Sequence, residues 1–136
     1  MGNLLIGKKD SGSAYKVLIV DDSLFVVKRL TKILESQGFE IIATADDGRK
    51  GFEQYKTFYP DIDLVMLDIT MPNVDGMATL KNILEFDKNA KILMVSALGK
   101  EDLIKEALLI GAKNFVTKPI EQDKILPKIQ QILDKK

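Results

Sequence analysis

The chain has 136 residues, 46% of them apolar and 29% charged, with twenty Lys plus Arg against twenty Asp plus Glu. This fits one folded globular domain rather than a disordered chain. It contains no His and no Cys. That excludes disulfides, a thiol nucleophile, zinc–thiolate and iron–sulfur sites, an imidazole base and a Ser-His triad. Chemistry is left to carboxylates, hydroxyls, amines, backbone groups or a hard metal ion.

The balanced charge is unlike the basic footprint of a nucleic-acid binder, and no segment approaches the roughly 20 apolar residues of a membrane span. Leu4–Ile6 is too short for the apolar region of a signal peptide. Met1-Gly2 opens like a myristoylation signal, but Ile6 stands where that signal needs Ser or Thr. A cytoplasmic protein is expected. Residues 1–15, with Lys8-Lys9-Asp10-Ser11-Gly12-Ser13, show no sustained period and read as a flexible tail or a leader, ahead of one domain over residues 16–136.

From there, short apolar runs alternate with amphipathic stretches. Val17–Val20 is the first predicted strand. Val26, Leu30, Ile33 and Gln37 follow helical spacing, with Ser23 to cap the start and Gly38 to stop the end. Ile41–Thr44 is the second strand. Phe52, Tyr55 and Phe58 mark a second helix, weakened by Gly51 and ended by Pro60. Leu64–Leu67 is the third strand and runs into Asp68. Met77, Leu80, Ile83 and Leu84 form the third helix. Ile92–Val95 is the fourth strand, ending at Ser96. Leu103, Ala107, Leu108 and Gly111 belong to a fourth helix, and Phe115-Val116 is a short fifth strand. Ile125, Ile129, Ile132 and Leu133 make the last helix, which starts near Asp123 so that Pro127 falls within its first turn.

Alternating βα units predict a parallel sheet with helices on both faces, and apolar runs without alternation fit strands buried on both sides. The expected class is α/β: a doubly wound five-stranded parallel sheet, order 2-1-3-4-5, with the ligand outside the carboxyl ends of the strands. At those ends stand Asp21 and Asp22, Asp68, Ser96, and Thr117-Lys118-Pro119. The order brings three carboxylates, a hydroxyl and an amine to one patch. Crowded carboxylates repel one another, and Mg²⁺ with its preference for oxygen ligands relieves the conflict. A phosphoryl group is the natural further partner, its remaining oxygens met by Lys118 and the Ser96 hydroxyl. Asp68, between the acidic pair and Ser96/Lys118, is the candidate nucleophile for an aspartyl phosphate. Taken singly, each residue reads more readily as a turn, cap or surface residue; their joint placement is what carries weight.

These residues resemble the receiver domain of two-component response regulators, most closely the stand-alone chemotaxis regulators of the CheY type. The matching text is Val17-Leu18-Ile19-Val20-Asp21-Asp22-Ser23, Val65-Met66-Leu67-Asp68-Ile69-Thr70-Met71-Pro72 with Asp75-Gly76, Ser96-Ala97, and Phe115-Val116-Thr117-Lys118-Pro119. The resemblance covers about Tyr15 to Leu133. It implies that Asp68 accepts a phosphoryl group from a histidine kinase or a small acyl-phosphate-type donor. It implies Mg²⁺ on Asp22, Asp68 and the Thr70 backbone carbonyl, with Asp21 acting through metal-bound water. Ser96 and Lys118 would contact the phosphoryl oxygens, Phe115 would be the switch aromatic, and the Lys118–Pro119 bond would be cis. Phe115 stands where chemotaxis regulators often carry Tyr, Ser96 replaces the commoner Thr, and the small Ala97 leaves Asp68 accessible.

Two further expectations concern regulation. The fourth helix is apolar over more than the roughly 100° that one-sided packing needs, so Leu109 or Ile110 is a candidate for a partner face, unless both are buried on the fifth helix. Thr70 and Leu98 match the family's rate-tuning positions, and Leu98 cannot orient a water, which predicts slow self-dephosphorylation and reliance on a separate phosphatase. The expected partners are a histidine kinase, an output protein (the flagellar motor switch in a chemotaxis pathway) and that phosphatase, with the chain itself a monomer. It would catalyse only its own phosphorylation and slow dephosphorylation. A flavodoxin-like carrier is disfavoured because Asp21-Asp22 would repel a flavin phosphate. A haloacid-dehalogenase-type hydrolase is disfavoured because Thr70 stands where its second Asp belongs. A phosphorylation-independent adaptor, or a receiver cut from a larger regulator, would share the same fold.

Overall fold

A computed structural model of the chain describes residues 5–71 and 75–134. Pro72 of the motif and the first four residues of the tail lie outside them. Strands and helices alternate as β1 (Lys16–Val20), α1 (Leu24–Ser36), β2 (Glu40–Ala45), α2 (Gly48–Phe58), β3 (Leu64–Asp68), α3 (Gly76–Phe86), β4 (Ile92–Ser96), α4 (Glu101–Ile110), β5 (Asn114–Thr117) and α5 (Gln122–Leu133). The strands form one parallel sheet in the order β2-β1-β3-β4-β5, as expected.

Burial follows from that order. The inner strands β3 and β4 are buried at every position, and β1 at all but Lys16. The edge strand β2 is only part-buried, so the two-sided burial inferred from its apolar run does not hold there. Successive side chains of a strand point to opposite faces, so each strand feeds two cores. Leu18, Val20, Val65, Leu67, Ile92 and Met94 pack with α2, α3 and α4. Val17, Ile19, Leu64, Met66, Leu93 and Val95 pack with α1 and α5 through Leu30, Leu34, Ile125 and Ile129.

Side-chain oxygens cap three of the helices. Ser23, Asp47 and Asp75 accept from the N–H groups of Val26, Lys50 and Ala78, relieving donors that the first turn leaves open. Gly38 (φ +91°) follows α1, and Gly111 (φ +142°) ends α4 rather than lying inside it. Gly51 does not merely weaken α2: a Cβ there would lie 2.8 Å from a methyl of Val20, so glycine lets α2 approach β1. The helix α5 begins one residue before Asp123, and Pro127 sits in its second turn, not its first. The carbonyl that loses its N–H partner there is that of Asp123, an exposed residue at the helix start, where water can replace it.

Residues 5–15 correct the expectation of a flexible tail for the part described. The Gly7 N–H donates to the Gln37 carbonyl at 2.8 Å, the Tyr15 N–H to the Gly7 carbonyl at 2.8 Å, and Lys8 bridges Ala14. Ile6 and Tyr15 pack against the α1/α5 core, and Lys9 pairs with Asp63 at 3.5 Å. The segment lacks a hydrophobic period because it is a turn docked on its neighbours.

Candidate functional site

The carboxyl edge of the sheet collects side chains from four strands and the loops that follow them. Asp21 follows β1 directly, its N–H bonded to the Ala45 carbonyl of β2. Its Oδ1 accepts from the Ser23 N–H at 2.8 Å, which turns the chain into α1. Asp68 is the last residue of β3 and is held close to α3 by Gly76, where any Cβ would collide with the Asp68 carbonyl. Ser96 ends β4, and its carbonyl accepts from the Lys118 N–H at 2.8 Å, placing the lysine beside the two acids. The Lys118–Pro119 bond is cis, as the resemblance implies; so is Tyr59–Pro60, which no motif in the sequence points to.

One oxygen each from Asp21, Asp22 and Asp68 lies within 4.8 Å of the others. Asp21 and Asp68 are buried and Asp22 is exposed. The Lys118 Nζ stands 3.5 Å from Asp21 Oδ2 and 3.6 Å from Asp68 Oδ1. These are charge contacts too long to satisfy a buried oxygen, and Asp21 Oδ2 has no hydrogen-bond partner among the described residues. Burial, then repulsion from Asp21, pushes the Asp68 carboxyl up to about 6, against the pull of Lys118 and of the Thr70 backbone N–H. Burial likewise raises Asp21 above the usual carboxylate range, opposed by the Ser23 N–H and by Lys118. One ammonium for three carboxylates leaves negative charge uncompensated in a partly desolvated site. An all-oxygen donor set with an orphaned buried oxygen fits a hard divalent cation such as Mg²⁺.

The other expected residues fall into two groups. Ser96 is fully buried, with its Oγ donating to the Ala97 carbonyl at 2.8 Å. Ala97 and Leu98 are exposed at the mouth, Leu98 by 73%. Thr70 contributes its N–H to the Asp68 carboxylate. Phe115 lies half-buried on β5, outside the acid cluster, beneath the Lys128 ammonium of α5. On α4, Leu109 is 88% exposed, whereas Ile110 packs against the core, so the two candidates separate. Sequence reasoning missed Arg29, whose Nε donates to the Ile120 carbonyl at 2.6 Å and ties the Lys118–Pro119 loop to α1. It also missed the structural part of Gly76, although Asp75-Gly76 belongs to the text that matches the receiver family.

A parallel sheet that presents this constellation defines a class. The chain belongs to the response regulator receiver domain family, whose model matches residues 17–130. Within it the chain is a receiver of the CheY type. It is 54% identical over 127 residues to the chemotaxis protein CheY of Treponema pallidum (93% of this chain, 88% of the relative), and 41% identical over 121 residues to that of Bacillus subtilis (89% and 99%). The first match takes in part of the segment ahead of residue 17. Among solved structures, the CheX-CheY-BeF3-Mg+2 complex from Borrelia burgdorferi holds a chain 51% identical to this one. The two superpose with a TM-score of 0.94, covering 98% of this chain and 100% of that one. Among the described residues no helix is long and apolar enough to cross a membrane.

Proposed function

We propose that the protein is the phospho-accepting switch of a chemotaxis pathway, taking a phosphoryl group onto Asp68 with Mg²⁺. The observation that carries this is the under-neutralised cluster of Asp21, Asp22 and Asp68, which among the described residues has the Lys118 ammonium as its one cation within ion-pair distance. Asp22, Asp68 and the Thr70 carbonyl would hold the ion, with Asp21 acting through its water. When bound, Mg²⁺ neutralises the carboxylates and the incoming phosphoryl oxygens. Asp68 supplies the nucleophilic oxygen, and attack at phosphorus displaces the donor group to leave an acyl phosphate. Lys118 offsets charge on one phosphoryl oxygen. The Ser96 hydroxyl exchanges its bond to the Ala97 carbonyl for one to another, which biases Phe115 between two positions.

The chain is then a switch that catalyses its own phosphorylation and, slowly, its own dephosphorylation. The donor is a histidine kinase, since a chain without His cannot hold the phosphohistidine itself. The exposed Leu109 belongs to the face read by the output protein, the flagellar motor switch, and Leu98 leaves phosphate removal to a separate phosphatase. The relative from Borrelia burgdorferi, crystallised with CheX, beryllofluoride and magnesium, supports that arrangement. The protein would work in the cytoplasm as a monomer. Incubation with acetyl phosphate and Mg²⁺, followed by intact mass, tests the reading. A phosphoryl adduct absent from Asp68→Asn is expected, and no adduct with any donor would leave the adaptor reading in its place.

A further inference from the structure

Among the described residues the strand β5 pairs only with β4, and an edge strand leaves alternate main-chain groups facing outward without a ladder partner. At Phe115 both such groups are met by side chains. Its N–H donates to the Asn114 Oδ1 at 2.8 Å, and its carbonyl accepts from the Lys128 Nζ at 2.6 Å. The same ammonium lies over the Phe115 ring, 4.5 Å from its centroid. No carboxylate pairs with Lys128 among the described residues, whereas Lys124, one turn earlier on α5, is paired with Glu121 at 3.0 Å. Lys128 thus commits its charge to one residue, through two contacts: one holds the backbone and the other the ring. The ring has no hydroxyl with which to anchor itself. Three residues further on, the same backbone reaches Lys118 between the acids.

We propose that Lys128 is a positioning residue that latches Phe115 in its half-buried position, so that the ring moves only when the ammonium–ring contact is given up. This rests on the switch reading above, in which phosphorylation at Asp68 biases Phe115 between two positions. The carbonyl contact can persist while the ring leaves, so the latch acts on the ring and not on the fold of β5. A half-exposed cation–ring contact biases a two-state side chain by about two- to thirty-fold. Because linkage is reciprocal, releasing the ring also favours phosphorylation by up to the same factor.

The test uses the full chain with fluorine-labelled phenylalanine, the Phe115 resonance being assigned by its loss in Phe115→Leu. The free protein and the protein with beryllofluoride and Mg²⁺ define the two limits. In Lys128→Met, which keeps the aliphatic stem and removes both contacts, the free protein's resonance should move toward the beryllofluoride limit. Its equilibrium affinity for beryllofluoride with Mg²⁺, read by titrating the same resonance, should rise by up to about thirty-fold. Lys128→Arg keeps a cation for the ring and should stay near the parent on both counts. A Met variant whose free resonance and beryllofluoride affinity equal the parent's overturns the latch while leaving the switch standing. A parent resonance unmoved by beryllofluoride and Mg²⁺ overturns the switch reading, and the latch with it.

Discussion

Replacing Asp68 by Asn removes the buried charge while nearly keeping the shape of the protonated carboxyl. In the folded chain Asp68 titrates at about 6 against an ordinary 3.8, because burial and Asp21 both disfavour the carboxylate. A group whose pKa is raised on folding holds its proton more tightly in the folded state, so its stabilisation is lost as pH rises through the folded value. The metal-free parent should therefore lose stability between about pH 4 and pH 7, by about 3 kcal/mol at most at roughly 1.4 kcal/mol per pH unit. Asn does not titrate and escapes the loss. The pull of Lys118 is already contained in the folded value of about 6, so the expected gain at pH 7.5 is about 2–3 kcal/mol. That corresponds to a rise in Tm of roughly 5–10 °C for a domain of this size. Thermal or urea unfolding with a chelator present reads it directly. Two features distinguish the electrostatic cause. The gain should shrink to a few tenths of a kcal/mol near pH 4, on the order expected when both side chains are neutral. Adding Mg²⁺ at pH 7.5 should stabilise the parent more than the variant and narrow the gap. A variant no more stable than the parent at pH 7.5, or equally favoured at pH 4, would refute the reasoning.

Other outcomes follow from the same geometry. Leu98→Gln or Leu98→Glu puts a water-orienting group at the exposed mouth and should speed loss of the phosphoryl group by about tenfold, the equivalent of one hydrogen bond in the transition state; an unchanged decay of radiolabelled protein counts against a water-limited step. On α4, Leu109→Lys should leave unfolding within about 0.5 kcal/mol of the parent and weaken phosphorylation-dependent binding of the output partner. Ile110→Lys should cost about 2 kcal/mol or more through its core contact; equal stabilities would show that the two faces are misplaced. Gly76→Ala drives a Cβ into the Asp68 carbonyl and should cost about 3 kcal/mol, with phosphorylation by acetyl phosphate lost or sharply slowed; a fully phosphorylated, stable variant would mean that α3 can shift without moving Asp68.

Periodicity revealed the βα alternation and the residues at the strand ends, because apolar runs and helical spacing are local signals that burial imposes on the chain; the strand order came from the general rules for crossovers in doubly wound sheets. The carboxylates, Ser96 and Lys118 were legible for the same reason: each ends a strand or follows one within two residues, so placing the strand places the side chain. What the chain could not announce locally was decided by contact. Gly51 looks like a weak point in α2 until Val20 is seen against it, and Leu109 and Ile110 are indistinguishable by hydropathy until α4 is packed. The docked turn of residues 5–15 has no period of its own because its partners, Gln37 and Asp63, are distant in sequence. The balance of charge shows the same division. Composition set twenty acids against twenty bases, but only the folded sheet edge gathered three of those acids around one ammonium. Desolvation there lifts Asp68 toward neutrality, since charges that water would screen along an open chain cannot be screened once the strands bring them together.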